Sequence, residues 1–255
     1  MEFFDSHSHY NDEKFDNDRD EMIKNIYENG VTKAVVVGYN AQTSKQAVEI
    51  ANKYNFLYAT CGISPNDIEN FDEQLQEIEQ LLKNKKIVAI GEIGLDYYWG
   101  KDKKEEQKEI FIKQIELANK YNLPIAIHSR DASSDTIDII KNKAKCNKAG
   151  IFHCCQQNIE FIKEGIKLGY YVSFAGPITF KNSKNAEEII SKTPLERILI
   201  ETDCPYLSPE PVRNTRNNSK NLIYIAQKIA KAKEITVEEV AKATYQNAMK
   251  IYGIQ

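Results

Sequence analysis

Short apolar runs alternate with amphipathic segments along the whole chain. Eight runs rich in apolar and β-branched residues predict strands at 3–7, 33–38, 57–62, 87–92, 124–128, 150–153, 170–174 and 198–203. Most of them are continuously hydrophobic, which is typical of strands that are covered on both faces of a parallel sheet. Between them, apolar residues recur at helical spacing and predict helices near 18–29, 42–54, 72–83, 106–121, 132–143, 156–168, 183–191 and 220–231, with a last one at 236–251.

This alternation favours a parallel sheet, and eight strand–helix units in 255 residues favour its closure into a (β/α)8 TIM barrel of fold class α/β. The alternative is an open doubly wound sheet, which normally has a glycine-rich phosphate loop after its first strand. Here the first turn reads Ser-His-Ser-His-Tyr-Asn instead. The sequence has no evident linker, low-complexity tract or short repeat, so we expect a single domain over 1–255.

Composition narrows the class of protein. The chain is 42% hydrophobic and 28% charged, with a mean hydropathy of −0.53. These values exclude a disordered chain, and no run reaches the ~20 apolar residues of a membrane-spanning helix. The amino terminus has neither a basic stretch nor an apolar signal core, and the five cysteines form no Cys-x-x-Cys pair. We therefore expect a cytoplasmic protein with reduced thiols and no association with a membrane.

Potential metal ligands lie at the carboxyl ends of the predicted strands. The chain has only four histidines, and all of them take this position, as do one glutamate and one aspartate: His7, His9, Glu92, His128, His153 and Asp203. In a parallel barrel these strand ends meet at one rim, which is where such folds place their active sites. A single histidine at a strand end is more often a packed residue than a ligand. The convergence of all six is what predicts a metal centre.

Two of these histidines are separated by one residue, so His7 and His9 point to the same face of their strand and can bind one ion together. Neutral imidazoles and carboxylates suit Zn²⁺ or Mn²⁺, and Mg²⁺ if oxygens and waters complete its shell. Six ligands are too many for one tetrahedral ion but suit two cations that share a carboxylate. Such a pair can stabilise both the attacking and the leaving oxygen of a displacement.

Several longer motifs accompany these residues: Asp-Ser-His-Ser-His at 5–9, Gly-Glu-Ile-Gly-Leu-Asp-Tyr at 91–97, Pro-Ile-Ala-Ile-His-Ser-Arg at 124–130, His-Cys at 153–154, Gly-Pro-Ile-Thr-Phe at 176–180, Glu-Thr-Asp-Cys-Pro-Tyr-Leu at 201–207 and Gln-Asn-Ala at 246–248. With them the chain resembles the TatD-type metal-dependent deoxyribonucleases, a branch of the amidohydrolase-like barrels, over essentially its full length. The motifs at 91–97 and 201–207 are the most specific.

The resemblance implies a role for each ligand. His7 and His9 would bind one cation, His128 and His153 the other, and Glu92 would bridge the two. Asp203 would bind the first cation and orient or deprotonate the attacking water, so that Asp203 and Glu92 are the expected catalytic residues. The implied cofactors are two divalent cations, Mg²⁺ or Mn²⁺ in function with Zn²⁺ or Ni²⁺ as alternatives. The implied substrate is DNA, single-stranded or at its ends, and no obligate protein partner is expected.

Substrate contacts are expected from loops on the same rim. Three of the five arginines, Arg130, Arg213 and Arg216, lie in such loops and could bind phosphate with two donors each; the alternative is that they pair with surface acids. The aromatic run Tyr97-Tyr98-Trp99 could stack on bases, with Tyr97 as the candidate from the motif, although we expect two of the three to pack internally.

Neighbouring residues are expected to support the ligands or to pack beside them. Asp5 and Glu201 share strand faces with ligands and are expected to orient them as hydrogen-bond acceptors. Asp96 belongs to the motif at 91–97 without an assignable role. Cys154 and Cys155 are interpreted as small hydrophobic residues and not as metal ligands.

The chain departs from the family pattern at three places. Ser64 stands where relatives usually have a histidine, and serine is a poorer proton donor to a phosphate oxygen. The segment 155–157 reads Cys-Gln-Gln in place of Phe-Ser-Gly, and the loop 213–219 lacks the usual Glu-Pro. Ser64 remains a candidate substrate contact. All six metal positions are intact, so these changes bear on substrate detail.

Two other functions remain open from the sequence. The same rim could hydrolyse a small ester, a lactone or an aminoacyl-tRNA. Alternatively, the barrel could be a non-catalytic binding protein, an interpretation that the intact Glu92 and Asp203 argue against.

Overall fold

The computed structural model describes residues 1–155 and 158–255. Its eight parallel strands form one sheet, and each strand pairs with its neighbours in sequence. They are β1 (Phe3–Ser8), β2 (Val31–Val37), β3 (Leu57–Cys61), β4 (Ile87–Asp96), β5 (Ile125–Arg130), β6 (Ile151–Phe152), β7 (Tyr171–Phe174) and β8 (Ile198–Ile200). This order confirms the predicted (β/α)8 TIM barrel and excludes the doubly wound alternative, whose strand order departs from the order in sequence.

Helices follow the strands as predicted. They are α1 (Arg19–Glu28), α2 (Ala41–Lys53), α3 (Phe71–Leu81), α4 (Lys104–Tyr121), α5 (Ser133–Asp138), α6 (Ile159–Lys167), α7 (Ala186–Lys192), α8 (Leu222–Lys233) and α9 (Val237–Tyr252). The helix predicted at 156–168 includes Gln156 and Gln157, which lie outside the described residues. Its described part begins after Asn158, whose side chain accepts a hydrogen bond from the backbone N–H of Phe161 at 2.9 Å and thereby caps the helix. Among the described residues, no helix is both long and apolar enough to cross a bilayer.

Two strand ends differ from the sequence prediction by three residues or more. β4 continues four residues past Glu92, because its end pairs with β5 from Ile93 to Asp96 beyond a register shift. β8, in contrast, ends at Ile200, three residues before Asp203. Glu92 therefore lies within its strand, and Asp203 lies in the loop that follows its strand.

The loop after β8 closes the barrel against β1. The backbone N–H of Asp203 donates to the carbonyl oxygen of His7 at 3.0 Å, and that of His9 donates to the carbonyl oxygen of Cys204 at 2.8 Å. The hydroxyl of Ser6 also donates to the carbonyl oxygen of Ile200 at 3.0 Å. These contacts hold Asp203 beside the two histidines at the end of β1.

Apolar side chains fill both faces of the sheet. On β2, Ala34 and Val36 pack with the surrounding helices, whereas Val35 and Val37 point to the barrel interior. The interior cluster consists of Phe4, Val35, Val37, Val88, Ala89, Ile151, Tyr171, Leu199, Ala248 and Tyr252. Burying a side chain such as Val35 contributes roughly 1.5–3 kcal/mol to stability. This rigid interior supports the rim on which the polar residues lie.

Candidate metal centre

The two histidines at the end of β1, His7 and His9, point to one place. The ring nitrogen Nδ1 of His9 lies 3.1 Å from the carbonyl oxygen of Val37, which holds a proton on Nδ1 and directs Nε2 into the site. The Nε2 atoms of His7 and His9 are 3.2 Å apart. Both side chains are buried, so their polar atoms face the interior of the site and not bulk water.

Glu92 lies between two pairs of histidines, His7 with His9 and His128 with His153. Its Oε2 is 3.5 Å from His7 Nε2 and 3.9 Å from His9 Nε2. Its Oε1 is 2.9 Å from His128 Nδ1 and 3.7 Å from His153 Nε2. Each carboxylate oxygen thus faces one pair, which is the arrangement that a bridging carboxylate requires.

Asp203 joins the group from the loop after β8. Its Oδ1 lies 3.1 Å from His9 Nε2 and 3.7 Å from His7 Nε2. Its side chain is 16% exposed, whereas the side chain of His7 is only 2% exposed. The side chain of Glu92 is 12% exposed, so both carboxylates of the group meet solvent, Asp203 slightly more than Glu92.

Burial and contacts between the side chains shift the pKa values of the histidines and carboxylates of the site in opposite directions. Burial disfavours charge on His128 and His153, but the carboxylates around them outweigh this effect and raise the pKa of His128 to about 9 and that of His153 to about 10. Burial opposes ionisation of Glu92 and Asp203 as well, yet the neighbouring histidines hold the pKa of each carboxyl below its usual value. The pKa of His7 falls, mainly because of burial and because His153 lies beside it.

These side chains fit a cation site. Three overlapping groups have ligand atoms that all lie within 4.8 Å of one another, namely His7, His153 and Asp203; His7, His9 and Glu92; and Glu92, His128 and His153. Imidazole nitrogens and carboxylate oxygens are suitable donors for divalent transition metals. The site is mostly buried and contains four imidazoles and two carboxylates. Packing alone does not explain this group, because buried carboxylates need a compensating positive charge, which a cation supplies.

Three acids next to the group hold its members in place. The Oδ2 of Asp96 lies 3.0 Å from His128 Nε2, and the Oε1 of Glu201 lies 2.8 Å from His153 Nδ1. Asp5 accepts from the backbone N–H of His7 at 3.3 Å and of Thr202 at 3.0 Å. The structure thus gives Asp96 a partner that the sequence did not reveal. It also shows that Glu201 contacts His153 rather than its sequence neighbour Asp203.

A cleft of about 210 Å³ opens over these residues. Its lining consists of His9, Tyr39, Ser64, Glu92, His128, His153, Asp203 and Tyr206. The hydroxyl of Ser64 donates to Asp67 Oδ2 at 2.6 Å. Sequence reasoning missed Tyr39 and Tyr206. Tyr206 stands within the motif at 201–207, which was a usable signal, whereas Tyr39 follows β2 with no motif around it.

The other predicted substrate contacts lie apart from the cleft lining among the described residues. Tyr97 is only 9% exposed and donates its hydroxyl to Asp135 Oδ2 at 2.6 Å. Arg216 pairs with Asp18 through both terminal guanidinium nitrogens, and Arg213 lies over the Phe180 ring at 3.7 Å from its centroid. Arg130 is exposed and lies over the ring of Tyr98.

One expectation about the aromatic run is wrong. We expected two of its three residues to pack internally, but only Tyr97 does, whereas Tyr98 is 54% and Trp99 69% exposed. The reason lies in the turn after β4. In this turn, the backbone N–H groups of Tyr98 and Trp99 both donate to Asp96 Oδ1, at 2.9 and 3.0 Å. The turn therefore leaves the side chains of Tyr98 and Trp99 outside the core.

A TIM barrel that gathers four histidines and two carboxylates at the rim of its strands is typical of metal-dependent hydrolases. Comparison with known proteins specifies the family. The family model described as TatD related DNase matches residues 4–253. YabD of Bacillus subtilis, named an uncharacterized metal-dependent hydrolase, is 44% identical over 252 residues, which cover 98% of this chain and 99% of that protein. The chain therefore belongs to the TatD-related DNase family of metal-dependent hydrolases.

Solved structures agree with this assignment. The TatD homologue YjjV of Escherichia coli superposes with a TM-score of 0.93 at 26% identity and covers 99% of this chain and 98% of its own. A TatD family hydrolase of Entamoeba histolytica gives a TM-score of 0.88 at 25% identity, with 100% and 99% covered. Both comparisons span the whole barrel, including every strand that carries a residue of the candidate centre.

Proposed function

We propose that this protein is a deoxyribonuclease of the cytoplasm that hydrolyses the phosphodiester bonds of DNA at a site for two divalent cations. The observation that carries the proposal is the position of Glu92, whose two carboxylate oxygens face different histidine pairs. A carboxylate in this position can neutralise two cations at once. The choice of DNA as substrate is supported by the description of the family to which the chain belongs.

The two oxygens of Glu92 and the family resemblance support one division of the residues between two cations. His7, His9 and Asp203 would hold one cation, His128 and His153 would hold the other, and Glu92 would be shared. The carboxylate oxygens suit Mg²⁺ or Mn²⁺ when waters complete the shell, whereas the four imidazoles also suit Zn²⁺. Bound cations of this kind lower the pKa of water and neutralise negative charge on a phosphoryl group.

Asp203 is the residue placed to accept a proton. The hydrogen bond from His9 and the charge of His153 outweigh the effect of burial and keep the pKa of Asp203 below its usual value, so the carboxylate is ionised at neutral pH. Its partial exposure to the cleft lets it meet an attacking water. General-base assistance of this kind typically contributes ~10²–10⁴-fold to the rate.

Polar groups of the cleft wall would position the phosphate. Tyr39, Ser64 and Tyr206 all line the cleft and carry hydroxyls. Ser64 donates its proton to Asp67 in this structure, so its hydroxyl would have to rotate toward the cleft to donate to a phosphate oxygen. Tyr206 likewise donates to Asp12 Oδ2 at 2.7 Å. These residues would contribute binding and orientation, whereas Asp203 would contribute proton transfer.

The decisive experiment treats end-labelled single-stranded DNA with the purified protein and Mg²⁺ or Mn²⁺. We expect cleavage that a chelator abolishes. Glu92→Ala should lose both cations and activity, because it removes the shared ligand. Asp203→Asn should retain bound cation, measured by elemental analysis, but lose at least about 10²-fold in turnover. If either variant cleaved DNA at the wild-type rate, the proposal would be contradicted.

A parallel panel of small esters, lactones and an aminoacyl-tRNA tests the alternative substrates at the same site. Lys163→Ala, a change on the exposed face of α6, is the control for effects of mutagenesis and purification. It is expected to cleave DNA at the wild-type rate. Turnover of an ester or lactone with intact DNA would assign the site to a small-molecule hydrolase instead.

A further inference from the structure

Two aromatic side chains stand exposed on the rim that carries the metal centre. Tyr98 is 54% exposed and Trp99 69%, and Trp99 is the most exposed large hydrophobic side chain among the described residues. Exposing so much indole to water forgoes the gain of burying it. Surface aromatics of this kind are favoured where a flat ligand covers them.

The two rings form a platform with an arginine. Their centroids are 4.8 Å apart and their planes are perpendicular. The guanidinium carbon of Arg130 lies 3.9 Å from the centroid of Tyr98 and 5.9 Å from that of Trp99. Arg130 therefore supports Tyr98 through a cation–π contact, and most of the indole remains uncovered. We call Tyr98, Trp99 and Arg130 the aromatic platform.

The platform is tied to the candidate centre through a single carboxylate. Asp96 Oδ1 accepts from the backbone N–H groups of Tyr98 and Trp99, and Asp96 Oδ2 lies 3.0 Å from His128 Nε2. Arg130 pairs with Asp96 in the register of β4 and β5, two residues beyond His128. The turn is thereby held in a fixed position next to the ligands.

A guanidinium lies directly at the platform. Arg130 is exposed and contacts Tyr98, whereas Lys101 and Lys103 follow the turn as exposed residues with the exposed acid Asp102 between them. A flat aromatic surface next to basic side chains is the combination that binds single-stranded nucleic acid, because bases stack while phosphates pair with the cations.

We propose that the aromatic platform binds an unpaired nucleobase of the strand whose phosphate occupies the cleft, with the base stacked on Trp99. The inference rests on the proposed action on DNA and adds the subsite that selects the substrate. A base in an intact duplex is already stacked on its neighbours, so the platform favours single strands and frayed ends. Trp99 and Tyr98 act in positioning and take no part in bond cleavage.

The chain contains a single tryptophan, so the tryptophan fluorescence of the protein reports on Trp99 alone. The test titrates the chelator-treated full-length protein, which cannot turn over substrate, with an unlabelled single-stranded octadeoxynucleotide. We expect saturable quenching of the emission. An abasic oligonucleotide of equal length carries the same phosphates without bases and should leave the emission unchanged.

Kinetics with Mg²⁺ or Mn²⁺ separate binding from chemistry. Trp99→Ala should raise KM for the oligonucleotide by about 5- to 100-fold with kcat nearly retained, and Trp99→Phe should recover most of the loss. Tyr27→Ala is the matched control, since Tyr27 is 52% exposed but lies against Phe56, which precedes β3 at the opposite end of the barrel. It should not change KM.

The outcomes distinguish this inference from the proposed function. Chelator-sensitive cleavage of DNA with no quenching and with unchanged KM in Trp99→Ala would overturn the platform and leave the nuclease intact. Base-dependent quenching without any cleavage would refute the nuclease and leave the platform as a nucleic-acid subsite. A blue shift of the emission that depends on protein concentration alone would overturn the platform by showing that a second copy covers Trp99.

Discussion

The carboxylate of Asp96 connects His128 to the turn that follows β4: its Oδ2 lies 3.0 Å from His128 Nε2, and its Oδ1 accepts two backbone N–H groups of the turn. The hydrogen bonds from His128 and from the backbone outweigh burial and lower the pKa of Asp96 to about 2. An ionised carboxylate is needed at this place because donors approach both of its oxygens. One residue therefore orients a candidate ligand and shapes the neighbouring surface.

Asp96→Asn should weaken cation binding. An asparagine has only one acceptor oxygen, so its amide nitrogen would face either His128 or the backbone donors of the turn. We expect cation affinity to fall by about 10- to 100-fold, as is typical when the partner of a ligating histidine is lost. The measurement is a cation titration by calorimetry. Asp102→Asn, an exposed acid in the same loop, is the control and should bind as the wild type does.

Substitution of Glu201 should show whether its charge or its hydrogen bonds orient His153. Its Oε1 is the partner of His153 Nδ1 and also accepts from the backbone N–H of Cys154, at 2.6 Å, whereas its buried Oε2 has no partner among the described residues. Glu201→Gln can keep the acceptor at Oε1, but Glu201→Ala cannot. We expect Glu201→Ala to lose about 10- to 100-fold in cation affinity and Glu201→Gln to lose clearly less. Equal losses would mean that the negative charge alone matters.

Cation binding should release protons at neutral pH. In the metal-free protein His128 and His153 have pKa values of about 9 and about 10, so both are protonated at pH 7. A cation binds the neutral imidazole, and about two protons should leave when both histidines become ligands. The apparent affinity should therefore rise as pH increases from 7 toward 9. Calorimetry in two buffers with different ionisation enthalpies counts the protons, and a heat that is independent of the buffer would contradict this.

Gly165→Ala should destabilise the barrel although alanine favours helices. A Cβ at Gly165 of α6 would lie 2.0 Å from Cε2 of Phe152, whose ring is buried between Phe161 and Tyr170 and cannot move away. Helix propensity alone would add about 1 kcal/mol, but overpacking of this severity costs up to about 3 kcal/mol. We expect the free energy of unfolding to fall by roughly 2 kcal/mol in urea denaturation. Lys163→Ala on the exposed side of α6 should change it by less than about 0.5 kcal/mol.

The sequence by itself determined the fold class and the order of the strands. Continuous hydrophobic runs such as that at 34–37 are typical of strands buried on both faces, and eight of them with intervening helices fit a closed parallel barrel. It also placed the six polar residues at one rim, because the direction of every strand follows from the parallel topology. These properties depend on local pattern and on chain direction, which the order of residues specifies directly.

Only the tertiary structure decided how those residues meet. The two oxygens of Glu92 face different histidine pairs, and Asp203 reaches β1 from a loop through backbone hydrogen bonds that join residues far apart in sequence. The local sequence pattern also does not predict which carboxylates contact His128 and His153. Nor does it predict that Trp99 is exposed while the nearby Tyr97 is buried. Such contacts depend on strand register and loop path, and these are set by packing over the whole barrel rather than by neighbours in sequence.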